Sequence, residues 1–111
     1  MSDLTTSKGL FERLDDVQVV DVREPYEWEA GRIGSALHIP LNALMGGAGD
    51  DVLSKDKPVV VVCRSGNRSE LGMLMLNARG YEAHNLALGM EGWAGEGLPM
   101  VAADGGQGRV A

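Results

Sequence analysis

Residues 58–80 read PVVVVCRSGNRSELGMLMLNARG, and the fold follows from this stretch. Four consecutive valines, Val59 to Val62, form a β-branched run suited to a short strand buried on both faces. Beyond Ser69 the residues Leu71, Leu74, Met75 and Ala78 recur at i, i+3, i+4 and i+7. This predicts a helix with those residues on its apolar face, ended by Arg79-Gly80. Between strand and helix lies the loop Cys63-Arg64-Ser65-Gly66-Asn67-Arg68, which holds the only cysteine of the chain.

A strand that feeds a helix through a short loop leaves backbone N–H groups without helical partners beside the positive end of the helix dipole. Such a cradle attracts an anion. The loop brings its own candidate, the Cys63 thiolate, together with Arg64 and Arg68 and no acidic residue from Cys63 through Ser69. Its local charge of +2 stands in a chain of net charge -6. An ordinary thiol with a pKa of about 8.5 is only a few per cent ionised at neutral pH, and lowering it by about two units takes about 2.7 kcal/mol. A helix end supplies about 0.3–1 kcal/mol, so loop amides and an arginine are expected to add to it. The alternative, an inert buried thiol, describes most lone intracellular cysteines; the strand–loop–helix setting favours a reactive one.

Outward from this unit, short apolar runs alternate with helical patterns. Val17 to Val22 reads as a strand, Pro25 to Ala30 as a short helix with proline at its first position and Gly31 as its stop, and Ala36 to Ile39 as a second strand. Leu41 to Leu44 reads as a helical turn, Glu82 to Leu86 as a strand, and Met90 to Ala94 as a short helix bearing Trp93. A polar lead runs into a short helix carrying Leu10, Phe11 and Leu14, with Thr5, Thr6 or Ser7 as cap. Strands alternating with helices imply an α/β fold: a mainly parallel central sheet flanked by helices on both faces. In such sheets ligands bind beyond the carboxyl ends of the strands, where Cys63, Asp21 and Arg23 all fall.

Each residue near that edge has competing roles. Arg68 is expected to hold the loop or stabilise a bound anion, against the alternative of a plain surface arginine. Arg64 is expected to point outward, toward substrate or merely into solvent. Gly66 is expected to turn a backbone amide toward the sulfur. Ser65 and Asn67 would brace the loop or offer donors, and Ser69 would cap the helix. For Asp21 two roles are open: binding loop amides or the Arg68 guanidinium, or capping the helix at Pro25. His38 and His84 lack partners at metal-ligand spacing and read as structural, as does Trp93.

The sequence resembles the single-domain rhodaneses, enzymes that carry sulfur as a cysteine persulfide. CRSGNRS followed by an apolar helix is similar to their active-site loop, VVDVREPYEWEAGRIGSALHIP at 19–40 to their amino-terminal motif, and LGMEGWAGEGLP at 88–99 to their carboxy-terminal motif. The resemblance runs from about Val17 to Pro99. It implies a rhodanese-like domain over residues 1–101, with 102–111, rich in glycine, expected as a disordered tail. It also implies catalysis by Cys63, a loop Arg64 to Ser69 that binds substrate, structural support from Asp21 and Arg23, and no metal or cofactor. Departures lie away from the loop: Arg32 stands where the family often has histidine, Gly34-Ser35 where Pro-Gly is usual, and Leu88-Gly89 where a double glycine is common. They put substrate preference in question.

The chemistry so implied is a double displacement: thiosulfate or another small anionic donor charges Cys63, and cyanide, a thiol or a protein acceptor discharges it. A cysteine-dependent phosphatase or arsenate reductase is a rival, but those enzymes resemble Cys-x5-Arg and this loop is Cys-x4-Arg. A persulfide carrier or binding module with little turnover is the other. The chain has 111 residues, ten basic against sixteen acidic, which argues against nucleic acid or an anionic membrane as partner. One cysteine makes no internal disulfide, no run approaches the length of a membrane span, and the amino terminus lacks a secretion signal, so a reducing cytoplasm is the expected location.

Overall fold

The computed structural model describes residues 3–111. Among these, five helices and four strands alternate: α1 Ser7–Glu12, β1 Gln18–Asp21, α2 Pro25–Ala30, β2 Leu37–His38, α3 Leu41–Met45, β3 Val59–Val62, α4 Asn67–Ala78, β4 Ala83–Asn85 and α5 Gly89–Gly95, with a 3-10 turn at Leu14–Asp16. The strands form one parallel sheet in the order β2-β1-β3-β4. The valine run is central, between β1 and β4, and all four valines are fully buried. Burying a side chain of this kind contributes about 1.5–3 kcal/mol.

Because side chains alternate along a strand, β3 serves two cores. Val59 and Val61 pack with Val20, Val22, Leu44 and Leu76 on the face covered by α3 and α4. Val60 and Val62 pack with Val19, Leu10, Met90 and Trp93 on the face covered by α1 and α5. Thr6 caps α1, its hydroxyl accepting from the Gly9 N–H. The expected α/β architecture with helices on both faces is what forms.

The buried face of α4 differs from the one the leucine spacing predicts. Leu71 and Leu74 are exposed, and the helix instead buries Ser69, Gly72 and Leu76, with Met73 packed beside them. The reason is closeness: a Cβ on Gly72 would lie 3.2 Å from both Leu44 Cδ2 and Val61 Cγ1. The helix approaches the sheet along its small residues, and this turns Ser69 toward Cys63.

The tail also differs from expectation. Val101 bridges Arg32 and Gln107, the Ala103 N–H donates to Glu29 O, and the Arg109 N–H donates to Ala30 O at 2.9 Å. Val110 packs against the Trp93 core. A Cβ on Gly31 would stand 2.4 Å from Arg109 N, so this glycine admits the returning chain. Composition misses the return because backbone groups make most of its contacts.

Candidate active site

Cys63 leaves β3 at the carboxyl edge of the sheet, and its surroundings are set by backbone. The Cys63 carbonyl accepts from the Met90 N–H at 2.8 Å and the Arg64 carbonyl from the Glu91 N–H at 2.9 Å, so the first turn of α5 docks onto the loop. Gly89 makes that contact, with φ 57° and a missing Cβ that would lie 2.5 Å from both carbonyl oxygens. Its neighbour Leu88 is exposed with φ −102°, which is why a leucine is accommodated where the family often doubles the glycine.

Gly66 shapes the other side. It sits at φ 102°, and a Cβ there would stand 2.1 Å from Ala87 O. In this conformation its N–H donates to Cys63 Sγ at 3.1 Å, the arrangement expected of it. The helix starts at Asn67 with Gly66 as cap, so Ser69 lies inside the first turn and is no cap. Its hydroxyl is fully buried, 3.3 Å from Cys63 Sγ and 2.5 Å from Asn85 Oδ1.

Cys63 is 1% exposed. Burial is the largest single influence on its ionisation and works against the thiolate, but the Ser69 hydroxyl and the amides of Ser69, Gly66 and Ser65 together outweigh it. The thiol ionises below its usual range.

The arginines are not free. Arg68 spans to α2, its Nη1 and Nη2 donating to Glu27 Oε1 at 2.7 Å and Oε2 at 2.9 Å. The pairing with Arg68, set against burial, holds the Glu27 carboxyl below the usual range, and it keeps Arg68 firmly protonated. Arg64 points outward as expected but lies 3.3 Å from Glu91, with half of each side chain exposed. The loop charge of +2 is therefore matched by two carboxylates that the sequence places far away. Ser65 and Asn67 are exposed on the loop rim.

Asp21 binds neither the loop amides nor Arg68. Both of its oxygens accept from Arg23, at 2.9 Å and 3.1 Å from Nε and 2.8 Å from Nη2, and Oδ1 also accepts from the Arg23 N–H at 3.1 Å. Arg23 Nη2 reaches Gly31 O at 2.7 Å, and the pair is wholly buried. The role is support: it ties the end of β1 to the end of α2, the helix that carries Glu27. His38 stacks on Trp28 and bonds Arg23 O, and His84 bonds Glu82. Trp93 is core, its Nε1 donating to Pro99 O. Among the described residues no three of His, Cys, Asp and Glu are grouped to hold a metal.

Glu27, Asn85 and Glu91 are the site residues that sequence reasoning passed over. Glu27 and Arg68 are 41 positions apart, and nothing local links them. Asn85 had a signal: it ends β4, and the carboxyl ends of strands were already marked as the site edge.

A parallel α/β sheet with a cysteine of lowered pKa in a strand–loop–helix cradle defines a class of thiol-dependent transfer proteins. The family model of the rhodanese-like domain matches residues 6–96, and the chain belongs to that family. A sulfurtransferase of Allochromatium vinosum is 39% identical over 103 residues, covering 89% of this chain and 94% of the relative. A putative sulfurtransferase, YtwF, of Bacillus subtilis is 35% identical, covering 83% and 87%. The crystal structure of a rhodanese-related protein from Thermoplasma volcanium superposes with a TM-score of 0.79 at 32% identity, covering 86% of this chain and 94% of the other. Family and relatives support a sulfur-transfer role. Among the described residues no helix is long and apolar enough to cross a membrane.

Proposed function

We propose that this protein is a sulfurtransferase that carries sulfane sulfur as a persulfide on Cys63. The Sγ thiolate attacks the outer sulfur of a small anionic donor such as thiosulfate; the S–S bond forms, the bond to the sulfonate sulfur breaks, and sulfite leaves with the electron pair. A thiophilic acceptor, cyanide, a low-mass thiol or a protein thiol, then attacks the outer sulfur of the persulfide, and Sγ departs as thiolate. Sulfite and thiolate both leave as stable anions, so no protonating acid is needed.

The observation that carries this reading is the sulfur held by the Gly66 N–H and the Ser69 hydroxyl while both flanking arginines are engaged by carboxylates. A phosphatase needs a guanidinium fork free to bind phosphate. Here both Arg68 Nη atoms are on Glu27, which leaves no free fork to hold a phosphate and favours a sulfur carried on Cys63 itself. The burial of Cys63 favours a small donor, and it also keeps open a carrier whose loop is approached only by a partner protein. A lone thiol of this kind works in a reducing compartment, and the cytoplasm is the proposed one.

Intact mass after incubation with thiosulfate, beside a Cys63→Ser control, tests the proposal. Gain of one sulfur, removed by cyanide and absent in the control, is expected. An unchanged mass would overturn the thiosulfate route.

A further inference from the structure

Asn85 ends β4 beside the cysteine loop, and no step above uses it. Both ends of its carboxamide are taken by that loop: Nδ2 donates to Gly66 O at 3.0 Å, and Oδ1 lies 2.5 Å from Ser69 Oγ. A backbone carbonyl only accepts, so Gly66 O fixes the NH2 on its own side and leaves Oδ1, also only an acceptor, facing Ser69. Ser69 must then donate to Asn85. Yet its oxygen is also 3.3 Å from Cys63 Sγ, and a hydroxyl has one proton. Two acceptors compete for it. The strength of the sulfur's claim depends on its charge: a thiol brings its own proton and donates to Ser69 Oγ, whereas a thiolate has only lone pairs to offer.

We propose that Asn85 is a positioning residue that makes the Ser69 hydroxyl follow the charge on Cys63 Sγ. While Sγ is uncharged, as thiol or as the inner sulfur of a persulfide, Ser69 donates to Asn85 Oδ1. When Sγ carries charge, as attacking or leaving thiolate, the hydroxyl turns to the sulfur. The turn is a rotation about one C–O bond, with no proton exchanged. The persulfide half of the cycle rests on the function proposed above; the thiol–thiolate half does not.

Opposite signs follow. Ser69 stabilises the charged sulfur, and Asn85, by holding the Ser69 hydroxyl, stabilises the uncharged one; its bond to Gly66 O braces an amide that favours the charged form, an effect of the opposite sign. The charged groups around the sulfur are engaged elsewhere: Arg68 with Glu27 from α2, Arg64 with Glu91 from α5, and Arg23 with Asp21 from β1. His84 on β4 bonds Glu82, and His38 on β2 bonds Arg23 O.

The test is the pH dependence of Cys63 alkylation by iodoacetamide in the full chain, for the parent, Ser69→Ala, Asn85→Ala and the double variant. Ser69→Ala should raise the midpoint by about one unit, since a hydrogen bond to the charged form is lost. Asn85→Ala should lower it, and should not lower it in the Ser69→Ala background. A midpoint raised or unmoved by Asn85→Ala, or a lowering that persists without Ser69, would overturn the proposal and leave Asn85 as a brace for Gly66. Should Asn85→Ala not fold, the Asn85 side-chain amide is followed by NMR through the Cys63 titration. It should report the cysteine midpoint in the parent and fall silent in Ser69→Ala; silence in the parent, or an equal response in both, refutes the switch. Neither readout involves sulfur transfer, so failure here and failure of the mass measurement are separate results.

Discussion

Replacing Glu27 with glutamine keeps the size of the side chain and removes its charge, and two readouts should then move in opposite directions. Arg68 makes two charge-assisted hydrogen bonds to Glu27, at 2.7 Å and 2.9 Å. Hydrogen bonds to charged groups contribute about 1.5–3 kcal/mol each, and breaking a fully buried pair costs about 3–5 kcal/mol. Glu27 is 4% exposed, but Arg68 is 36% exposed, so water recovers part of the loss. The glutamine oxygen can still accept from the Glu24 N–H, as Glu27 Oε1 does now. The net cost should be about 1–2 kcal/mol, a fall in Tm of about 4–8 °C for a domain of this size.

The pH dependence has a definite sign. The Glu27 pKa is lowered in the folded state, chiefly by Arg68. Its charge therefore contributes fully above the unfolded carboxylate pKa of about 4.3, and the contribution is lost as pH falls through the lower folded value. Urea unfolding followed by tryptophan fluorescence, from Trp28 and Trp93 together, should show Glu27→Gln less stable at neutral pH, with the gap closing in acid. Equal stability at neutral pH, or a gap that persists or widens in acid, would refute the pairing as a source of stability. Alkylation of Cys63 at neutral pH should meanwhile become faster, because the variant loses a carboxylate and frees the Arg68 cation near the sulfur. Slower alkylation would refute the electrostatic half of the argument.

Three further outcomes are expected. The alkylation rate of the folded parent should rise with pH to a plateau whose midpoint lies below that of the same cysteine in the urea-unfolded chain, since the folded state lowers the Cys63 pKa; a folded midpoint above the unfolded one would mean that burial wins. Gly66→Ala should destabilise by at least about 1–3 kcal/mol, because the left-handed backbone and the collision with Ala87 O act together, and alkylation should slow as the amide leaves the sulfur; denaturant midpoints and alkylation rates check both. Ending the chain at Val101 should cost about 1 kcal/mol or more through loss of Val110 packing and the Arg109 bond to Ala30; an unchanged Tm would show that 102–111 contributes nothing.

The sheet and its order of elements were legible because they depend on signals within a few residues: the valine run, Pro25 at a helix start, a loop between strand and helix. The position of Cys63, the turn made by Gly66 and the outward Arg64 were legible for the same reason. What escaped depends on pairs far apart in the chain. The leucine spacing of α4 suggested the wrong face because Gly72 lets the helix approach β3 along small residues, a gain no hydrophobic periodicity records. Ser69 was assigned to a cap because its neighbours are all the sequence shows; its true partners lie across the loop and on β4. The +2 charge of the loop was real as composition and misleading as electrostatics, since Glu27 and Glu91 return the same charge from α2 and α5.

That compensation suits the chemistry proposed. A free arginine beside the sulfur would deepen the pKa shift, but a thiolate loses nucleophilicity as its pKa falls, and the best attacking thiol has a pKa near ambient pH. Cys63 has to attack in one half of the cycle and leave in the other, so neither a strongly basic nor a strongly stabilised thiolate serves both steps. A buried sulfur held by neutral donors, the Gly66 amide and the Ser69 hydroxyl, sets burial against hydrogen bonding and leaves the pKa lowered. Pairing the arginines with carboxylates offsets their charge near the sulfur, and the interaction of Arg68 with Cys63 is smaller than its interaction with Glu27. Freeing Arg68 should therefore gain thiolate and lose leaving-step balance, which makes the separate rates of persulfide formation and discharge in Glu27→Gln the place where the two demands come apart.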